Sequence, residues 1–249
     1  MRGVFCVLLI LLLTGCAPAD DVSLQTEEEV ATEEGVMEKI SFQTDDGVTI
    51  VGNLWKGGGD AILLLHMLPA TKESWNDFAE ELYNEGYTVL AIDLRGHGES
   101  VKQRDTMLNY KTFTDEQHQE SIIDVRTAVS YLKEKGASSV AVAGASIGAN
   151  LALQYQAEDP DIKKTILLSA GLDYRGVETE SAAAALRSDQ EVYYVAGSFD
   201  GDTAETAQIL SEKMAGESEV KIYDTTAHGT DLLAGDADLS KELIAWLKS

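Results

Sequence analysis

The chain has 249 residues, with 43 acidic against 19 basic ones and a formal net charge of −24. That balance excludes a protein held electrostatically on nucleic acid or on anionic lipid, since both are polyanions. Its two cysteines, Cys6 and Cys16, both stand near the N-terminus, so a fold formed by the rest of the chain holds its core without a disulfide.

The first element in chain order is "MRGVFCVLLILLLTGC". Arg2 precedes an apolar run that ends at Leu13, too short for a comfortable membrane span and suited to the core of a signal peptide. Its close, Leu13-Thr14-Gly15-Cys16, resembles a bacterial lipobox. The resemblance implies a signal peptide over residues 1–15, lipidation of Cys16, and a protein anchored in the cell envelope facing outside the cytoplasm. A plain transmembrane anchor is the alternative. From Ala17 to Gly35 the chain carries seven acidic residues, no basic ones and no apolar periodicity. Residues 16–35 are therefore expected to be a solvated linker, leaving 36–249 as a single domain.

Within that domain "EKISFQT" and "VTIVGNLW" alternate and are separated by Asp46-Gly47, the signature of a hairpin. "AILLLHM" is continuously apolar, as expected of a strand covered on both faces. "KESWNDFAEELYNEG" places Trp75, Phe78, Leu82 and Tyr83 on a helical stripe that Gly86 closes. "YTVLAID" is the next strand, and "QESIIDVRTAVSYLKEKG" is an amphipathic helix closed by Gly136. Strands "SSVAVAG", "KKTILLSA", "EVYYVAGS" and "SEVKIYD" then alternate with helices, the last of them running through Leu239 to Lys248. An initial hairpin followed by alternating strands and helices predicts a mostly parallel eight-stranded sheet with helices on both faces. In such sheets function gathers at the carboxyl ends of the strands.

Gly144-Ala145-Ser146-Ile147-Gly148 stands between an apolar strand and a small-residue helix. Glycines at its two ends allow close backbone passage, and a tight strand-to-helix turn projects the Ser146 hydroxyl beside a helix N-terminus. Taken with "LLLHMLPATKESW", "AIDLRGHGES", "AGSFDGD" and "TTAHGTD", each following the expected strand, the sequence resembles the α/β-hydrolase family over nearly all of residues 37–248. The order Ser, Asp, His is also the order found in that family.

The resemblance implies Ser146 as nucleophile, His228 as base and Asp200 as the acid that orients it, with Asp202 and then Asp173 in reserve. Each role has its own chemistry. A serine hydroxyl needs a neighbouring base to become nucleophilic, and the imidazole needs a carboxylate to fix its tautomer. The oxyanion donors carry over to the N–H groups of Ile147 and Leu68. Met67 occupies the position where the family usually has glycine, and it is expected to shift the loop or line the acyl pocket. His66 and His97 read as loop-ordering residues and His118 as a surface residue. Neither metal chemistry nor a cofactor is expected, because no paired His spacing occurs.

The interval Gly171 to Gln190 is short, with room for a turn and one short helix but no large cap. "VKQRDTMLNYKTFTDEQ" is expected to cover part of the site, with Met107, Leu108, Tyr110 and Phe113 lining a pocket or packing the loop down. The expected activity is hydrolysis of small-molecule or lipid carboxylic esters through an acyl-enzyme. Thioester or amide cleavage, and a non-catalytic binding protein on the same fold, are the competing readings.

Overall fold

A computed structural model describes residues 37–249; the expected signal peptide and acidic linker lie outside the described residues. Eight main strands are present: β1 (Met37–Gln43), β2 (Val48–Trp55), β3 (Asp60–Leu65), β4 (Thr88–Ile92), β5 (Ser139–Ala145), β6 (Lys164–Leu168), β7 (Glu191–Gly197) and β8 (Ser218–Tyr223). They lie side by side in the order β1-β2-β4-β3-β5-β6-β7-β8. β2 runs antiparallel to β1 and β4, and the strands from β4 to β8 are mutually parallel. The Asp46-Gly47 turn joins β1 to β2, with Gly47 at φ 89°, a conformation that costs glycine little.

The sheet is larger than the eight strands expected. Two-residue strands Lys102–Gln103 and Thr106–Met107 form a hairpin that pairs with the start of β2, giving ten strands. Their polar, short sequence carries no strand period, so only the free edge of β2 beyond β4 reveals them.

Among the described residues eight α-helices accompany the strands: α1 (Asn76–Asn84), α2 (Asp115–Gln119), α3 (Ile122–Glu134), α4 (Ile147–Glu158), α5 (Glu180–Ala185), α6 (Thr203–Lys213), α7 (Asp231–Gly235) and α8 (Ala237–Lys248). Trp75 belongs to a 3-10 turn, Lys72–Trp75, that leads into α1. Successive residues of β3 feed two separate cores, because side chains alternate across a strand. Leu63 and Leu65 join Val125 of α3, Leu151 of α4 and Leu210 of α6. Ile62 and Leu64 join Phe78 and Leu82 of α1 and Leu243 of α8. Burial on both faces is why "AILLLH" shows no alternation. Among the described residues no helix is long and apolar enough to cross a membrane.

This topology places the site. After β3 the chain builds outward to β4, then returns to lay β5 on the other side of β3. The loops leaving β3 and β5 therefore diverge, and a crevice opens between them at the carboxyl ends of the strands.

Candidate active site

Ser146 stands at that crevice, between β5 and α4. Its φ of 53° and ψ of −120° form a combination that residues with side chains rarely adopt. Backbone bonds hold Ser146 in that conformation. Ser146 N–H donates to Leu168 C=O at 2.8 Å, while Ala149 and Asn150 N–H donate to Ser146 C=O at 2.8 and 3.1 Å. The flanking glycines are required by space. A Cβ on Gly144 would lie 2.1 Å from the Gly148 carbonyl oxygen, and one on Gly148 would lie 2.4 Å from that of Leu65. Ser146 itself is 6% exposed. The Ile147 N–H belongs to the first turn of α4, where backbone donors have no intrahelical acceptor. No acidic side chain occupies that turn, so the positive end of the helix dipole is available to an anion forming at Ser146.

His228 follows β8 and Asp200 follows β7. His228 Nδ1 lies 2.8 Å from both carboxylate oxygens of Asp200. A carboxylate only accepts, so Nδ1 carries a proton and donates, which makes Nε2 the acceptor whenever the ring is neutral. Thr203 Oγ1 shares its proton between Asp200 C=O at 2.8 Å and Asp200 Oδ2 at 3.1 Å, which ties the acid to the first turn of α6. The His228 side chain is 34% exposed and that of Asp200 12%. The next residue fastens the histidine loop beside the elbow. Gly229 N–H donates to Ser169 Oγ at 2.9 Å, and a Cβ on Gly229 would lie 3.2 Å from the Cβ of Ala145. Tyr174 stands beside the pair, its ring edge-on to His228 and its hydroxyl donating to Ser169 C=O at 3.3 Å. The reserve acids have other partners. Asp202 precedes α6, where its C=O accepts Thr206 N–H, and Asp173 accepts Gly176 N–H at 2.7 Å.

The loop after β3 is set by His66. Its Nε2 accepts Leu94 N–H at 3.0 Å, so Nδ1 bears the proton and donates to Met67 C=O at 2.9 Å. The C=O and N–H of a trans peptide point in opposite directions, which turns the Leu68 N–H away from His66. Met67 packs against the histidine loop, its sulfur 4.0 Å from Thr230 Oγ1 and 2.5 Å from where a Gly229 Cβ would stand. A cleft of ≈ 470 Å³ adjoins Asp200 and is lined in part by Leu172, Tyr174, Asp202, Thr203 and Thr206. Neither Met67 nor Met107 is among its lining residues. Met107 is 72% exposed in the edge hairpin.

Polar contacts brace the loops from below. Lys72 and Asp93 are both buried and meet at 2.8 Å. Burial opposes the Lys72 charge, but hydrogen bonds to Asp93, Glu73 and Glu99 outweigh it and raise its pKa above the ordinary lysine value. Arg95 joins the β1–β2 turn to α3, reaching Asp46 and Asp124 at 2.8 Å each. His97 stacks on Tyr110 at 3.9 Å between centroids. Burial lowers the pKa of His66 to about 4 and of His97 to about 3. His118 is a correction. It is buried rather than on the surface, because the capping-box helix α2 folds down beside Gly176 in the β6–β7 connection and brings it edge-on to Phe113.

The fold and the elbow define a class. The sequence profile of the alpha/beta hydrolase fold matches residues 60–215, more than half of the chain, and the chain belongs to the α/β-hydrolase family. Among particular relatives, it is 32% identical over 116 residues to the AB hydrolase superfamily protein YisY of Bacillus subtilis, a match covering 46% of this chain and 39% of that one. The chain thus spans well under half the length of that curated relative. The esterase Pf2001 of Pyrococcus furiosus superposes with a TM-score of 0.69 at 20% identity, over 85% of this chain and 90% of that one. The thioesterase domain from the curacin biosynthetic pathway gives 0.65 at 16%, over 84% and 99%. Likeness at these identities is one of fold.

Proposed function

We propose that the protein is a serine hydrolase that cleaves carboxylic esters. Ser146 Oγ attacks the ester carbonyl as its proton passes to His228 Nε2, and Asp200 stabilises the imidazolium that forms. The N–H groups of Ile147 and Leu68 receive the oxyanion. His228 then protonates the departing alcohol, and water hydrolyses the acyl-enzyme by the same proton path. No cofactor enters these steps. The observation that carries this reading is the His228–Asp200 pair, whose loop is fastened through Gly229 against the residue preceding the strained Ser146.

The experiment is hydrolysis of p-nitrophenyl esters from acetyl to long acyl, run beside Ser146→Ala. Turnover by the wild type, lost in the variant, supports the esterase. Absence of both turnover and fluorophosphonate labelling favours a binding protein. Likeness to a thioesterase fold makes thioesters the second substrate class to test. The lipobox-like Leu13-Thr14-Gly15-Cys16 supports a further part of the reading, a lipid anchor at Cys16 that holds the enzyme on the outer side of an envelope membrane. Mass spectrometry of the N-terminal peptide from envelope fractions tests it.

A further inference from the structure

Between β6 and β7 the chain makes only a two-stranded hairpin, Asp173–Tyr174 with Val177–Glu178, and the short helix α5. That hairpin carries one aromatic side chain to the nucleophile. The Tyr174 hydroxyl donates to Ser169 C=O at 3.3 Å and lies near enough to the Ser146 side chain for that group to act on its pKa. Its ring meets the His228 imidazole edge-on, with centroids 6.3 Å apart and planes at 86°. The ring is held in place by Gly171, where a Cβ would lie 2.7 Å from two of its carbons. The hairpin turn is tight, with Arg175 and Gly176 at φ 57° and 80°. Burial, with the Asp200 carboxylate adding to it, pushes the phenol up to about 12, so at neutral pH it is a hydrogen-bond donor.

Sheet order fixes which side of the reaction it serves. β3 and β6 flank β5 on opposite sides. The Leu68 N–H arrives from the β3 side, and Tyr174 arrives from the β6 side with the imidazole as its neighbour. Tyr174 therefore stands across Ser146 from the oxyanion loop. In a tetrahedral adduct on Ser146, the oxygen nearest the imidazole is that of the departing alcohol, which Nε2 must protonate.

We propose that Tyr174 is a catalytic residue that hydrogen-bonds the departing alcohol oxygen and suits the enzyme to esters of aliphatic alcohols. The proposal rests on the serine-hydrolase reading above. The Oγ–C bond forms as the Ser146 proton passes to His228. When the C–O bond to the alcohol breaks, His228 returns that proton to the alcohol oxygen. The Tyr174 O–H turns from Ser169 C=O to donate to the same oxygen as charge develops there, and keeps its own proton. An oxygen leaving as a stabilised phenolate needs little of this help, whereas one leaving from an alkyl ester carries more developing charge and depends on it.

The test compares full-length wild type and Tyr174→Phe on esters with a common acyl group, p-nitrophenyl acetate and ethyl acetate. It measures kcat/KM, which reports acylation, and the phenylalanine retains the ring packing. The expected result is a loss of about tenfold on the ethyl ester with p-nitrophenyl acetate nearly unchanged. Gly171→Ala, which pushes the same ring aside, should show the same selectivity. An equal loss on both esters, or no loss on either, overturns the proposal while leaving the serine hydrolase intact. Absence of turnover and of fluorophosphonate labelling in the wild type removes the underlying reading instead, and the proposal with it.

Discussion

His228 and Asp200, 28 residues apart in sequence, meet with Nδ1 2.8 Å from each carboxylate oxygen. Asp200→Asn is expected to lower kcat by about 10³–10⁴, because an amide can offer its N–H to the ring and so stabilise the wrong tautomer. Asp202→Asn and Asp173→Asn should stay within about twofold of wild type. Steady-state kinetics on one ester separates the three carboxylates, and a large loss in either control would reassign the acid.

The elbow has no room for a methyl group. In Gly144→Ala the added Cβ meets the Gly148 carbonyl at 2.1 Å, backbone against backbone, so neither side yields cheaply. A destabilisation of about 3 kcal/mol is expected, or roughly 10 °C in a thermal melt. A melting temperature equal to that of wild type would show that β5 and α4 can separate.

Lys72 and Asp93 give a different kind of prediction. Lys72→Met leaves the buried Asp93 carboxylate with only backbone donors, the N–H groups of residue 72 and Glu99. Breaking one side of a buried pair costs about 3–5 kcal/mol. The double variant Lys72→Met with Asp93→Asn should recover part of that loss, since the uncompensated charge is gone. Urea denaturation of the two singles and the double measures the coupling.

The buried histidines set an acid limit to stability. His66 and His97 have pKa values lowered by burial to about 4 and about 3, against about 6.5 for an unfolded histidine. Between pH 6.5 and 4 the unfolded chain binds more protons than the folded one, so stability falls as pH falls through that window. It is fully present above pH 6.5. The slope is about 1.4 kcal/mol per pH unit for each histidine. His66→Asn should flatten it, as read from chemical denaturation at pH 7.0, 6.0 and 5.0.

Much of this was legible in the chain because the signals were local. The unbroken apolar run of β3 reports burial on both faces, and the spacing of Gly144, Ser146 and Gly148 reports a backbone crossing. The order of Ser146, Asp200 and His228 matched the strands that deliver them. What escaped were relationships made between distant segments by polar side chains with no period of their own. Nothing near Lys72 announces Asp93, and Arg95 reaches back to Asp46 and forward to Asp124. His118 looked solvent-facing because its neighbours are polar. The hairpin that carries Tyr174 is two residues to a strand, below the length at which alternation can be read, although the turn residues Arg175-Gly176 mark its tip. Met107 stands in an edge hairpin, and that place depends on pairing with β2, which no local period announces.

Four imidazoles occupy four unlike settings, and their burial turns one of them into a reporter. His66, His97 and His118 are closed off from water, while His228 alone presents a third of its side chain to solvent. An imidazole-acylating reagent such as diethylpyrocarbonate, applied to the folded protein, should therefore count one reactive site among the four. The fold itself thus supplies a count of intact protein, in which a second reacting equivalent would be the first sign that the loops above the sheet had opened.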